Sequence, residues 1–172
     1  EKPFLTAGGL QLFANDDTVQ ALHEAAAGDL SLAGLLRAHL SRIVAGDYFA
    51  LLAYLEMNAA NDQSLQSMRH LVRDARKIAT CVGFGPRFLH STGPAYKGGP
   101  NTGVFLQITS DAPTDVEVPG HRYTFGVVKA AQARGDFAVL ADRGRRVMRV
   151  HLGSDVKAGL ETLETAMKLA LA

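Results

Sequence analysis

The sequence has a single cysteine, Cys81, among 172 residues. No internal disulfide can form, and a lone thiol fits a reducing, cytoplasmic compartment. An excess of charge of either sign is also missing. Eighteen Lys and Arg against 17 Asp and Glu leave a formal net charge of +1, so no global field draws in nucleic acid or an anionic membrane. The longest apolar run, Tyr48 to Leu55, falls far short of the roughly 20 residues of a membrane-spanning helix. No basic, apolar and small-residue succession opens the chain as a signal peptide would. The expectation is a soluble protein with neither nucleic-acid nor membrane partners. The chain opens on Glu1 and not methionine, which points to a piece cut from a longer polypeptide.

Metal-ligand spacing is absent too. His23, His39, His70, His121 and His151 fall on separate elements, with no pair on one helix face, so no zinc centre is expected. Cys81 sits within an apolar strand pattern, where a thiol is normally inert.

What is present is an alternation of helical and strand patterns in a chain that is 47% hydrophobic, enough for one domain with a sizeable core. Asp16, Asp17 and Thr18 can cap a helix that stops at Gly28. Ser31 starts a second helix, with Leu32, Leu35, Leu36, Leu40 and Ile43 at helical spacing and Gly46 at its end. Residues 1–46 are thus expected to be a helical lead-in to an α/β domain over 47–172.

Within that domain Tyr48 to Leu55 reads as a strand apolar on both faces, hence central in a sheet covered by helices on each side. A helix capped by Asn61 or Asp62 buries Leu65, Met68, Leu71, Val72, Ala75 and Ile78, and Thr80 to Phe84 follows as a second strand. Strand, helix, strand at this spacing predicts a βαβ unit with parallel strands and a right-handed crossover. Gly103 to Thr109 and Arg145 to Leu152 read as further strands. Between these two lie a turn-rich stretch with Pro113 and Pro119, a helix near Thr124 to Ala133, and a short helix capped by Asp136. Ser154 and Asp155 open the last helix. The fold class is therefore α/β, an open and mostly parallel sheet of about four to five strands between helices, a flavodoxin-like three-layer sandwich.

The segment from Pro86 to Thr102 leaves the carboxyl end of the second of these strands, where open α/β sheets bind ligands. Its composition suits an anion. Ser91, Thr92, Asn101 and Thr102 supply polar groups, Arg87 and Lys97 supply charge, and glycines including Gly98 and Gly99 let backbone amides approach a phosphate. The lysine precedes the glycines and no helical pattern follows, which excludes a nucleotide P-loop. His90 has the chemistry of a general acid or base. The same residue types also build ordinary surface turns, and a lone histidine beside Phe88 and Leu89 is equally at home packed and hydrogen-bonded. Arg143, Arg145, Arg146 and Arg149 form one basic cluster and read as a solvated edge. Lys129 is a helical lysine within reach of the crevice, although an exposed one is the commoner case.

The run Gly83-Phe84-Gly85-Pro86-Arg87-Phe88-Leu89-His90-Ser91-Thr92-Gly93, with Tyr96-Lys97-Gly98-Gly99-Pro100-Asn101-Thr102-Gly103 after it, resembles the last part of bifunctional transaldolase/glucose-6-phosphate isomerase proteins. The resemblance extends to Asp47–Tyr54 before it, and to Tyr123–Gly126, Ala130–Ala133 and Gly144–Val147 after it. It implies a sugar-isomerase-like α/β domain that takes part in interconverting glucose 6-phosphate and fructose 6-phosphate. Its partners would be the upstream isomerase and transaldolase domains of the same polypeptide. The ligand would be a sugar phosphate contacted by Arg87, Ser91, Thr92, Lys97, Gly98, Gly99, Asn101 and Thr102, with His90 as the ring-opening acid or base and no metal or organic cofactor. The family's Glu-Ser-Asn-Gly-Lys proton-transfer motif does not occur here, so this piece is expected to be incomplete as an isolated catalyst. Pro94 stands where relatives carry glutamine, replacing an amide by a ring without a donor. A non-catalytic structural, oligomerisation or metabolite-sensing module is the alternative.

Overall fold

The computed structural model describes residues 1–112 and 114–172; Pro113, assigned from the sequence to a turn-rich stretch, lies outside them. In chain order the elements are β1 (Leu5–Ala7), β2 (Leu10–Phe13), α1 (Asp16–Ala26), α2 (Leu32–Ser41), β3 (Tyr48–Tyr54), α3 (Ala59–Arg76), β4 (Ala79–Phe84), a 3-10 turn (Arg87–His90), α4 (Gly93–Gly98), β5 (Gly103–Thr109), α5 (Phe125–Asp142), β6 (Arg146–His151) and α6 (Val156–Leu171).

Six strands form one sheet in the order β1-β2-β6-β5-β3-β4. The four strands from β6 to β4 run parallel, while β1 and β2 are antiparallel additions at the β6 edge. The fold is thus the expected α/β three-layer arrangement, with six strands in place of the four to five read from the sequence. As the apolar run Tyr48–Tyr54 requires, β3 is interior, and every residue after Tyr48 is buried.

Helices cover both faces. Leu22 of α1, Leu35 and Leu36 of α2, Leu65 and Met68 of α3, and Leu160 and Leu163 of α6 pack on Phe49, Leu51, Val104, Leu106, Met148 and Val150. On the opposite face Phe88, Tyr96 of α4, and Ala133, Phe137 and Leu140 of α5 pack on Ala50, Leu52, Tyr54, Phe105 and Val147. Alternate strand residues therefore feed two separate cores, as the period of two demands.

Several elements differ from the sequence reading. Residues 1–46 are not wholly helical, because β1 and β2 form a hairpin that extends the sheet. Gly8 and Gly9 turn it with φ of 59° and 78°, the conformation that a two-residue hairpin loop needs, and Leu10 and Leu12 are buried in the first core. α2 stops at Ser41, short of Gly46. α3 starts earlier than Asn61, because the Asn58 side chain accepts the Asn61 amide. α5 is continuous, since Asp136 does not cap a new helix but turns its carboxylate inward to Lys97. The connection from Pro86 to Thr102 is itself ordered into the 3-10 turn and α4.

Candidate functional site

The ordered connection separates the residues that the sequence grouped together. It starts at the carboxyl end of the sheet, where the Gly85 amide donates to the Ala53 carbonyl, and ends at the amino end, where the Tyr48 amide donates to Thr102 O. Seven strand residues lie between, about 20 Å at the usual rise. Arg87, His90, Ser91 and Thr92 stay at the upper end; Lys97, Gly98, Gly99, Asn101 and Thr102 lie at the lower one.

At the upper end Arg87 and His90 are exposed. Arg87 Nη1 reaches Met57 Sδ at 2.9 Å, and Ser91 Oγ turns back to Phe88 O. At the lower end the polar groups are already paired. Lys97 Nζ sits 2.5 Å from Asp136 Oδ1. The Gly99 amide donates to Ala95 O and the Thr102 amide to Pro100 O, while Asn101 Nδ2 donates to Gly144 O. The glycine amides that would have cradled a phosphate close α4 instead.

The arginines expected to form a solvated edge hold this end together. Arg145 Nη2 donates to Lys97 O and Gly99 O at 2.7 Å each. Arg146 makes a two-pronged pair with Asp47 at 2.6 and 3.0 Å and also reaches Arg42 O and Asn101 O. That hydrogen bond from Arg146 holds the Asp47 carboxyl below its ordinary range. Arg149 lies inside the second core, and only Arg143 is on the wet surface.

The open ground of the fold lies elsewhere. β3 and β5 are neighbours, yet the chain leaving β3 enters α3 on one face and the chain leaving β5 leads to α5 on the other. At such a switch point the two connections part and leave a crevice beyond the strand ends. Two hollows open there, on either side of the segment Ser110–Ala112, and Lys129 of α5 borders both. The larger, of about 920 Å³, runs between the starts of α3 and α6. The other, of about 540 Å³, lies between α5 and the carboxyl-end half of the sheet. None of residues 87–102 lines either hollow.

The floor of the smaller hollow is polar because β5 and β6 change character along their length. Gln107 and Thr109 on β5 and Arg149 and His151 on β6 face α5 in paired register, as does Phe13 of β2 opposite Arg149. The Gln107 amide donates to Ala133 O. His151 lies between Thr109 Oγ1, 3.0 Å from Nδ1, and Asp111 Oδ1, 3.3 Å from Nε2. With the Thr109 hydroxyl donating to Nδ1, the Nε2–H points to the carboxylate. Burial pushes the Tyr54 phenol, at the rim, well above its ordinary range, with Asp136 nearby adding to the effect.

Backbone amides at the crevice are largely committed. Asp115 accepts the Thr124 hydroxyl and the Gly126 and Val116 amides, bonds that hold its carboxyl low. Thr124 Oγ1 accepts the Val127 amide, and Asn58 and Asp155 cap α3 and α6. A ligand must therefore be held by side chains. Lys129, half-buried and without an ion pair among the described residues, is the available cation common to both hollows. Among the described residues no three His, Cys, Asp or Glu side chains have the grouping of a metal site, and no helix is long and apolar enough to cross a membrane.

The signal for this site was in the strands and not in the glycine-rich connection. Thr109, then Arg149 and His151 two apart, are polar residues on one face of otherwise apolar strands, and all three line the smaller hollow.

No family model matches the chain, and no curated relative does. Among solved structures it is similar to a hypothetical protein from Thermus thermophilus, with a TM-score of 0.67 and 18% identity over 91% of this chain. The matched region is 44% of that protein, so the chain spans less than half the length of the structure it resembles. The likeness is one of fold.

Proposed function

We propose that this domain supplies sugar-phosphate contacts to a larger cytoplasmic enzyme, a bifunctional transaldolase/glucose-6-phosphate isomerase, at the switch-point crevice between β3 and β5. The observation that carries the reading is the position of Lys129. It stands where the crevice of an open α/β sheet receives ligands, borders both hollows, and makes no direct ion pair among the described residues, although the Asp115 carboxylate lies within reach of its charge. A hexose phosphate needs a cation for its phosphate and hydrogen-bonding groups for its hydroxyls, and the crevice offers Ser64, Ser110 and Ser154 in the larger hollow that the lysine borders.

Aldose–ketose isomerisation moves a proton between adjacent carbons through a cis-enediol, and a positioned acid or base is what it asks of a protein. His151, held between Thr109 and Asp111, has the chemistry to accept or return a proton at the sugar oxygen during ring opening. The carbon-to-carbon transfer would fall to groups upstream, since the glutamate motif of the resembled family is missing from this chain. The recurrence of the fold within a longer Thermus protein suits a domain that completes a site with its neighbours.

A specific observation favours a second reading, a packing module. Val116, Tyr123, Phe125 and Val127 are exposed together around the start of α5, an apolar surface of the kind that marks an interaction site. Titration of the 172-residue chain with fructose 6-phosphate, followed by amide chemical shifts, separates the two. Movement at Ser110–Ala112 and around Lys129 supports the ligand site, and no movement anywhere in the crevice refutes it.

A further inference from the structure

We propose that Arg149 and Arg134 form an anion subsite for a phosphate group in the smaller hollow, and that the Glu1 carboxylate is an internal counter-ion which such a ligand displaces.

Arg149 is a costly residue for its position. It sits in the middle of a parallel strand with its side chain 6% exposed, and a buried guanidinium is tolerated only when its charge is answered. Its setting fixes the group in place: the guanidinium carbon lies 4.2 Å from the centre of the Phe13 ring and 5.3 Å from that of Phe137. Two aromatic faces hold the plane and leave the edge of the fork to meet a ligand. That edge borders the hollow.

What it meets is Glu1. Oε2 accepts from Arg149 Nη2 at 2.6 Å and lies 3.3 Å from Arg134 Nε, so a single carboxylate oxygen is gripped by two arginines from β6 and α5. Burial is the largest single influence and works against the Glu1 charge, but the Arg149 hydrogen bond and the positive charges of Arg149 and Arg134 together keep the carboxyl below its ordinary range. This carboxylate is open to solvent. Its side chain is 37% exposed, and the first main-chain hydrogen bond that ties its segment to the sheet is made by the Phe4 amide. A buried cation held between two rings thus faces a solvent-accessible anion across the mouth of a hollow, a pairing that an anionic ligand with more acceptor oxygens can exchange. A phosphate offers three, matching the fork of Arg149 and the exposed Arg134 together. His151 and Thr109, on the same floor, face the remainder of such a ligand.

The inference rests on the sugar-phosphate reading for the identity of the ligand and deepens it by seating the phosphate on the arginine pair, with Lys129 on the same hollow adding its charge from the side. It is tested on the 172-residue chain with inorganic phosphate and fructose 6-phosphate as probes, read by amide and arginine Nε–H shifts. Glu1→Gln, which removes the competing charge and is compared at a temperature where circular dichroism shows both chains folded, is expected to tighten inorganic phosphate binding about tenfold, equivalent to about 1.4 kcal/mol. Arg134→Ala is expected to weaken it, and the shifts should centre on Phe13, Arg134 and Arg149. Glu161→Gln, an exposed carboxylate on α6 across the sheet, controls for net charge and should change nothing. Tightening by Glu1→Gln together with equal affinity for the two probes upholds the subsite and refutes the sugar reading. Fructose 6-phosphate binding in the crevice that ignores both Glu1→Gln and Arg134→Ala overturns the subsite and leaves the sugar reading standing.

Discussion

Lys97 Nζ lies 2.5 Å from Asp136 Oδ1, a bridge between α4 and α5 in which the carboxylate is 2% exposed and the ammonium 21%. The residue with the best sequence claim to a phosphate is thus the counter-ion of a buried acid, and its main-chain carbonyl is clasped by Arg143 and Arg145 as well.

Lys97→Ala is therefore expected to destabilise the fold by about 3 kcal/mol or more, because it strands the Asp136 charge in the second core. Urea denaturation measures it. A double replacement, Lys97→Met with Asp136→Leu, should recover much of the loss, since two apolar groups need no pairing. An unchanged midpoint for Lys97→Ala would free the lysine for the ligand role that its surroundings deny it.

A second consequence concerns pH. His39 is fully buried, its Nε2–H donates to Phe105 O at 2.9 Å, and its Nδ1 has no partner among the described residues. Burial, reinforced by Arg42 and Arg146, lowers its pKa from 6.5 to about 3. The unfolded chain binds a proton below about pH 6.5 that the folded chain refuses until about pH 3, so stability falls as pH drops through that window. The slope approaches about 1.4 kcal/mol per pH unit. Denaturation at pH 7, 6 and 5 should show it, and His39→Gln should flatten it; an equal slope in the variant would contradict the assignment.

Glycine replacements separate packing from ligand binding. A Cβ on Gly85 would lie 2.7 Å from the Tyr54 ring, whereas one on Gly98 would meet open space. Gly85→Ala is expected to cost about 1–3 kcal/mol through overpacking beneath the crevice, and Gly98→Ala to stay within about 0.5 kcal/mol. Thermal denaturation of the pair checks both.

Much of this fold was legible because its signals were periodic. The doubly apolar run from Tyr48 fixed the central strand, the stripe from Leu65 to Val72 fixed α3, and the chain between them could only cross over a sheet face. The hairpin was missed although Gly8-Gly9 between two short alternating runs is a turn signal, because each strand has four residues or fewer. α5 was split in two because Gly135 and Asp136 look like a break; only the position of Lys97 in space explains why that aspartate stays helical. The switch-point crevice is hidden from composition for a similar reason. Composition reveals which residues suit a phosphate, but α4 carries the two halves of the glycine-rich segment to opposite ends of the sheet, and no local pattern announces that.

The most direct measurement of the ligand site follows Lys129→Ala. The variant should melt as the parent does, because this lysine has no ion pair among the described residues. Fructose 6-phosphate should bind it more weakly, with the difference shrinking as salt is raised. In the parent, the sugar phosphate should shift the amides of Ser110–Ala112 and Gly126–Ala133 and leave Gly98–Thr102 still. Shifts confined to residues 87–102, with affinity indifferent to Lys129, would contradict the switch-point site outright.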